Sequence, residues 1–264
     1  MEIFGILNVT PDSFSDGGRF LNIDAALQHA EELVKAGATV IDVGGESTRP
    51  GALPITVEEE ILRVKDVVQA LTSSGIKVSL DTSKAKVAEM GLGLGVHYVN
   101  DVTGGLGDSA MLPLLASTNS DVILMHWRGP SNVMDSLANY DDVVKEVMLE
   151  LQARLEAAEN AGISREKIII DPGFGFSKNP EHNWQILSQI DTFEELHPRV
   201  LVGVSRKRFL KDISNEPDET TADLVTAAIS GFCYLWNVWG VRVHNVEMTK
   251  QVVETFERID KATS

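Results

Sequence analysis

Ile168-Ile169-Ile170-Asp171-Pro172-Gly173-Phe174-Gly175-Phe176 is a short β-branched apolar run that breaks into a carboxylate and a proline- and glycine-rich turn. Three consecutive isoleucines with no polar alternation read as a strand buried on both faces, the pattern of a parallel sheet covered by helices. Seven further runs of this kind occur: Ile3–Leu7, Thr39–Val43, Lys77–Leu80, Tyr98–Val99, Asp121–Met125, Leu201–Val204 and Val241–Val243. Segments of helical period lie between them, at Asp24–Ala36, Val57–Leu71, Ser83–Leu92, Asp141–Ala161, Glu219–Leu235 and Glu247–Asp260. Eight strands alternating with helices over 264 residues predict an α/β fold, a single (β/α)8 TIM barrel spanning residues 1–264 as one domain. An open, doubly wound sheet is the alternative. No linker, low-complexity tract or short repeat interrupts the alternation.

A barrel carries its active site on the loops at the C-terminal strand ends. Chemistry-bearing residues fall there, one group after another: Asn8 to Gly18, Gly44 to Gly51, Asp81, Asn100-Asp101, Asp171, Ser205-Arg206-Lys207, and Arg242 with His244. The opposite ends are plain. The two-residue period of a strand sharpens the set. Arg242 and His244 share the inward face, as do Ile6 and Asn8, Ser79 and Asp81, Ile169 and Asp171. By the same parity Met125 faces the barrel mouth and His126 points away.

Composition sets the limits. Apolar residues make up 43% of the chain, enough for a sizeable core, and the formal charge is −16, from 39 acidic and 23 basic residues. That field disfavours nucleic acid, and no basic cluster exceeds Arg206-Lys207-Arg208. An anionic substrate therefore needs a local basic pocket. Cys233 is the only cysteine, so disulfides and multi-cysteine metal cages are excluded, and it reads as a small buried hydrophobe. The apolar stretch Leu224–Val243 is broken by Gly231, Asn237, Gly240 and Arg242 and reads as a buried helix entering a buried strand. With no basic, apolar leader after Met1, a soluble cytoplasmic protein is expected, without membrane contact.

Lys207, Arg242 and His244 come from the last two strands, where barrels often hold phosphate, and Arg49 can reach in from the second loop. Ordinary ion pairs with the abundant carboxylates are the alternative for each. Asp81, Asn100 and Asp171 suit a flat heterocycle with an amidine-like edge, because a carboxylate accepts two parallel N–H bonds. They equally suit caps of the following helices, and the residues leave both readings open. His29, His97, His126, His182 and His197 carry no metal-ligand spacing. Mg²⁺ can bind through Asn8 and substrate phosphate, since it keeps much of its water. Gly173 to Gly175 allow close backbone approach, with Phe176 as a flat wall or as core.

At these loops the sequence resembles the dihydropteroate synthases. The resemblance rests on Gly5 to Gly18, Asp42 to Gly51, Ser79 to Thr82, Asn100 to Gly105, Asp171 to Phe176, Ser205-Arg206-Lys207 and Val241 to His244, in the family's order. Met125-His126-Trp127-Arg128 and Arg208 look like its actinobacterial branch. The resemblance implies condensation of 6-hydroxymethyl-7,8-dihydropterin diphosphate with p-aminobenzoate, with Mg²⁺ as cofactor and a homodimer as the assembly. It implies catalytic roles for Asp81, Lys207 and Arg242, and a pterin site of Asp81, Asn100, Met125, Asp171 and Lys207. Asn8, through Mg²⁺, with Arg242 and His244 would hold the diphosphate. Phe14, Thr48, Arg49, Pro50, Phe176 and Arg208 would frame the p-aminobenzoate. A catalytically inactive pterin-binding paralogue, a pterin-binding methyltransferase and a Schiff-base aldolase using Lys207 are the competing readings.

Overall fold

The structure is a computed structural model that describes residues 1–10, 19–47, 52–213 and 218–263. Strands and helices alternate: β1 Glu2–Asn8, α1 Arg19–Ala36, β2 Val40–Gly44, α2 Val57–Ser73, β3 Val78–Asp81, α3 Ala85–Gly93 and β4 Tyr98–Asp101. Then follow α4 Met111–Ala116, β5 Asp121–Met125, α5 Val143–Ala161, β6 Ile168–Asp171, α6 Pro180–Ser188 and α7 Thr192–Leu196. The chain ends with β7 Leu201–Val202, α8 Glu219–Leu235, β8 Gly240–Val243 and α9 Val246–Thr263. All pairings are parallel, in the order β6-β5-β4-β3-β2-β1-β8-β7. One bridge, Ile170 to Val200, joins the two edges and brings the sheet nearly to closure. This is the expected (β/α)8 barrel, and the open sheet is excluded.

Local chemistry explains the boundaries. Thr56 caps α2 by accepting from the Glu59 N–H at 3.2 Å, and Val64, Val67, Val68 and Leu71 bury one stripe at helical spacing. Asp142 caps α5 at 3.1 Å, and Gly162 ends it in the left-handed region. The short helices α4, α6 and α7 were not anticipated, being too brief for a periodic pattern. Only α6 announces itself, through the Asn179 cap and Pro180. β7 is shorter than expected because the chain leaves the ladder at Gly203 to enter the Ser205–Lys207 turn.

Strand parity divides the core into two sets. Outward side chains such as Leu7, Val43, Leu80, Leu124, Ile170 and Val243 pack under the helices. Inward ones, Phe4, Val40, Tyr98, Ile123, Ile169 and Leu201, close the barrel floor with Trp239. Above that floor most inward positions turn polar, Ile6 and Met125 excepted. Among the described residues no helix is long and apolar enough to cross a membrane. The stretch from Leu224 divides into α8 and β8 as expected, but α8 is not fully buried: Leu224, Phe232 and Leu235 are exposed, with Trp236 beyond its end.

Candidate active site

The polar inward positions meet in a cleft at the C-terminal strand ends, lined by Asp81, Asn100, Met125, Asp171, Phe174, Phe176, Gly203, Lys207 and Arg242. Register explains the convergence, since Asp81 pairs beside Asn100 on the next strand and Met125 beside Asp171. A larger, more open surface depression lies at the other end of the barrel around Lys77, His97 and Asp121. Of the two, the cleft at the C-terminal strand ends is the candidate site, because it gathers several buried titratable groups, Asp81, Asp171, Lys207 and Arg242.

Arg242 organises the interior. Its Nε donates to Asp42 Oδ2 at 2.5 Å and its Nη2 to Asp81 Oδ2 at 2.8 Å. Three of its five N–H donors have no partner among the described residues. Burial opposes its charge, but Asp42 and Asp81 outweigh burial and hold its proton more firmly than usual. Burial raises the Asp81 carboxyl to about 7, with the Asp42 and Glu60 charges adding to burial against the pull of Arg242 and Lys207. One guanidinium shared between two carboxylates cannot neutralise both. Burial likewise raises Asp171, whose Oδ1 accepts from the Gly173 N–H at 2.7 Å. Burial and the Arg242 charge draw Lys207 down to about 8, and its ammonium lies 4.2 Å from the Phe176 ring centre.

His244 follows Arg242 by two residues, just past the end of β8. Its backbone N–H donates to Ser205 Oγ at 3.1 Å, and the same hydroxyl lies within hydrogen-bond distance of His244 Nδ1 at 2.9 Å. Burial pushes its value down to about 3, so the ring is neutral, and the Ser205 hydroxyl can hold it as the Nε2–H tautomer by donating to Nδ1. Asn8 pairs with Gly44 at the rim, and its amide has no partner among the described residues. A Cβ on Gly44 would lie 3.6 Å from Asp81 Oδ2 and 3.7 Å from Asn8 Oδ1, so both oxygens face one gap. No group of three or more His, Cys, Asp or Glu among the described residues forms a metal cage. One free amide oxygen fits Mg²⁺ held mainly by phosphate and water.

The basic triplet does not converge. Arg206, at φ 56, forks onto Asp223 at 2.8 and 2.9 Å, away from the cleft. Arg208 is exposed and pairs with Asp135 at 3.1 Å. Of the three, only Lys207 lines the cleft. Phe14, Thr48, Arg49 and Pro50 lie outside the described residues. Met125 and Phe176 share a small apolar cluster with Met134. His126 points away from the mouth as parity requires.

Sequence reading missed Asp42 as a site residue. Its signal was available, because a carboxylate two residues before Gly44 on a buried strand has to face inward. It also missed the buried Glu60, whose Oε2 binds Lys84 at 2.5 Å alongside Glu46 at the root of the second loop. That trio joins α2 to two different loops, which no spacing reveals.

A barrel whose mouth offers carboxylates, an amide and a lysine to a flat ring is the architecture of a pterin-binding enzyme. The pterin binding enzyme family matches residues 4–244, and the chain belongs to it. Dihydropteroate synthase of Mycobacterium leprae is 44% identical over 252 residues, covering 93% of this chain and 89% of that one. Dihydropteroate synthase of Xanthomonas albilineans with 4-aminobenzoic acid superposes with a TM-score of 0.91 at 36% identity, covering 98% of this chain and 93% of that one. The same enzyme in complex with 7,8-dihydropteroate gives 0.88 at 34% identity, with the same coverage. Within the family the chain falls among the dihydropteroate synthases, transferases of folate synthesis.

Proposed function

We propose a division of labour for this chain in joining 6-hydroxymethyl-7,8-dihydropterin diphosphate to p-aminobenzoate. Asp81, Asn100 and Asp171 take the N–H edge of the pterin, and Met125 and Lys207 close over its ring. The observation that carries this reading is the convergence of those five side chains with Arg242 on one cleft above an apolar floor. A buried carboxylate raised towards neutrality gains most from a ligand offering paired N–H donors.

In the reaction the C–O bond to diphosphate breaks, the amine nitrogen bonds to the pterin methylene carbon, and the amine loses one proton. Arg242 presents its free N–H groups and His244 its neutral Nε2–H to the departing diphosphate, stabilising charge as it develops. Bound Mg²⁺, held by Asn8 and phosphate oxygens, would supply further positive charge there. Ionised Asp81 and Asp171 favour the cationic pterin left as the leaving group departs, so a dissociative substitution without a covalent enzyme intermediate is the mechanism proposed. Phe14, Thr48, Arg49, Pro50 and Phe176 frame p-aminobenzoate. Arg208 joins them only by leaving Asp135, an exposed pair that contributes little.

A second copy of the chain is proposed to cover the exposed α8 residues, giving a homodimer. The reaction test is diphosphate release from the pterin substrate, with and without p-aminobenzoate, in wild type and Asp171→Asn. Release that requires p-aminobenzoate and falls at least about a hundredfold in the variant is expected. Pterin binding without release would leave only a binding protein.

A further inference from the structure

Beneath the loop after β6 lies a lysine that the proposed chemistry does not use. Lys178 is 7% exposed. Its ammonium meets three acceptors, the carbonyl oxygens of Gly173 at 3.0 Å and Phe176 at 3.1 Å and His126 Nδ1 at 2.9 Å. A lysine has three N–H donors, and each has a partner here. A charge this deep is tolerated only with its donors filled. His126, accepting at Nδ1, donates from Nε2 to Glu150 at 3.0 Å. Arg128 holds Glu150 at 2.5 Å and Glu146 at 2.9 Å, and lies 3.8 Å from the centre of the Tyr140 ring. The Tyr140 hydroxyl donates to the Ser177 carbonyl at 2.9 Å, returning the chain of bonds to the same loop.

That loop needs a clasp. Gly173, Gly175 and Ser177 have φ of 71, 73 and 49°, three left-handed residues within five. Ser177 adopts this conformation without being glycine, which costs about 1 kcal/mol. The carbonyls flanking Phe176 turn down onto the ammonium, while its ring turns up into the cleft beneath Lys207. Phe176 therefore stands where Lys178 pins its backbone.

We infer that Lys178 is a positioning residue: by binding the carbonyls of Gly173 and Phe176 it sets the Phe176 ring against Lys207 and shapes the slot for the aromatic amine. This rests on the reading that Phe176 frames p-aminobenzoate.

The experiment is steady-state kinetics on the full chain with Lys178→Met, Phe176→Ala and the double variant. Lys178→Met is expected to raise KM for p-aminobenzoate about tenfold and to leave KM for the pterin diphosphate within about twofold. In the Phe176→Ala background the lysine change should add nothing, because its effect passes through that ring. A purely structural lysine would lower the unfolding temperature and the yield of active enzyme while moving neither KM; that result overturns the inference. If Phe176→Ala raises KM for p-aminobenzoate and Lys178→Met does not, the Lys178 inference alone fails. If Phe176→Ala leaves it unchanged, the underlying reading of Phe176 fails as well. Should Lys178→Met not fold, the comparison is made on His126→Gln, which removes one partner of the ammonium. It should raise only the p-aminobenzoate KM, about threefold, and an unchanged value overturns the inference.

Discussion

Asp81 ties the stability of the barrel to the pH at which it works. Its carboxyl moves from 3.8 to about 7 on folding, chiefly through burial. Between those values the folded protein keeps a proton that the unfolded chain has released. The stability contributed by neutral Asp81 is therefore full below about pH 4 and is lost as pH rises through about 7. At about 1.36 kcal/mol for each tenfold change in proton affinity, the loss amounts to at most about 4 kcal/mol. Asp81→Asn keeps the shape and cannot ionise. The variant also changes a partner of Arg242, but asparagine does not titrate, so the pH dependence of the difference reports the ionisation of Asp81 together with its pairing to Arg242. Urea unfolding of both proteins from about pH 4 to 8 should show the variant gaining on wild type by several kcal/mol across that range. A constant difference, or a wild type that gains on the variant as pH rises, would mean that the Arg242 pair governs this carboxyl, and the argument from burial would fall. Pterin binding supplies the second arm. If the ligand takes the ionised form, calorimetry at about pH 6 in buffers of different ionisation enthalpy should detect close to one proton released per pterin bound.

Four further outcomes are expected. Ser205→Ala removes the hydroxyl that fixes the His244 tautomer; kcat/KM for the pterin diphosphate should fall about tenfold with KM for p-aminobenzoate unchanged. Gly173→Ala places a Cβ 2.4 Å from the His126 carbonyl at φ +71°, and denaturant unfolding should show a loss of about 3 kcal/mol or more. Chelation should abolish turnover and added Mg²⁺ restore it, while Asn8→Ala should raise the Mg²⁺ needed for half-activity about tenfold. Leu235→Asp, on the exposed side of α8, should halve the mass seen by analytical ultracentrifugation if a second copy covers that face.

The amino-acid sequence by itself determined a covered parallel sheet, because eight apolar runs of strand length alternate with helical periods; that the sheet curls round until its edges meet at Ile170 and Val200 was decided by the tertiary structure. Parity then decided which side chains face inward, since a strand turns each residue over by a fixed step. Asp81, Met125, Asp171 and Arg242 were placed on the mouth by that rule and Asn100 by its strand end, and all of them line the cleft. Parity does not say which inward groups pair. That Arg242 is shared between Asp42 and Asp81 follows from the stagger of eight strands around a closed circle, which brings β2, β3 and β8 to one height. Where the chain leaves its strands, the step-by-step rule stops. Adjacent Ser205, Arg206 and Lys207 go three ways: to His244, to Asp223 and to the cleft. Lys178 reads as a surface lysine beside a turn. It is buried because α5 and the loops after β5 and β6 converge on it, and such convergence of distant segments exists only once the barrel has closed.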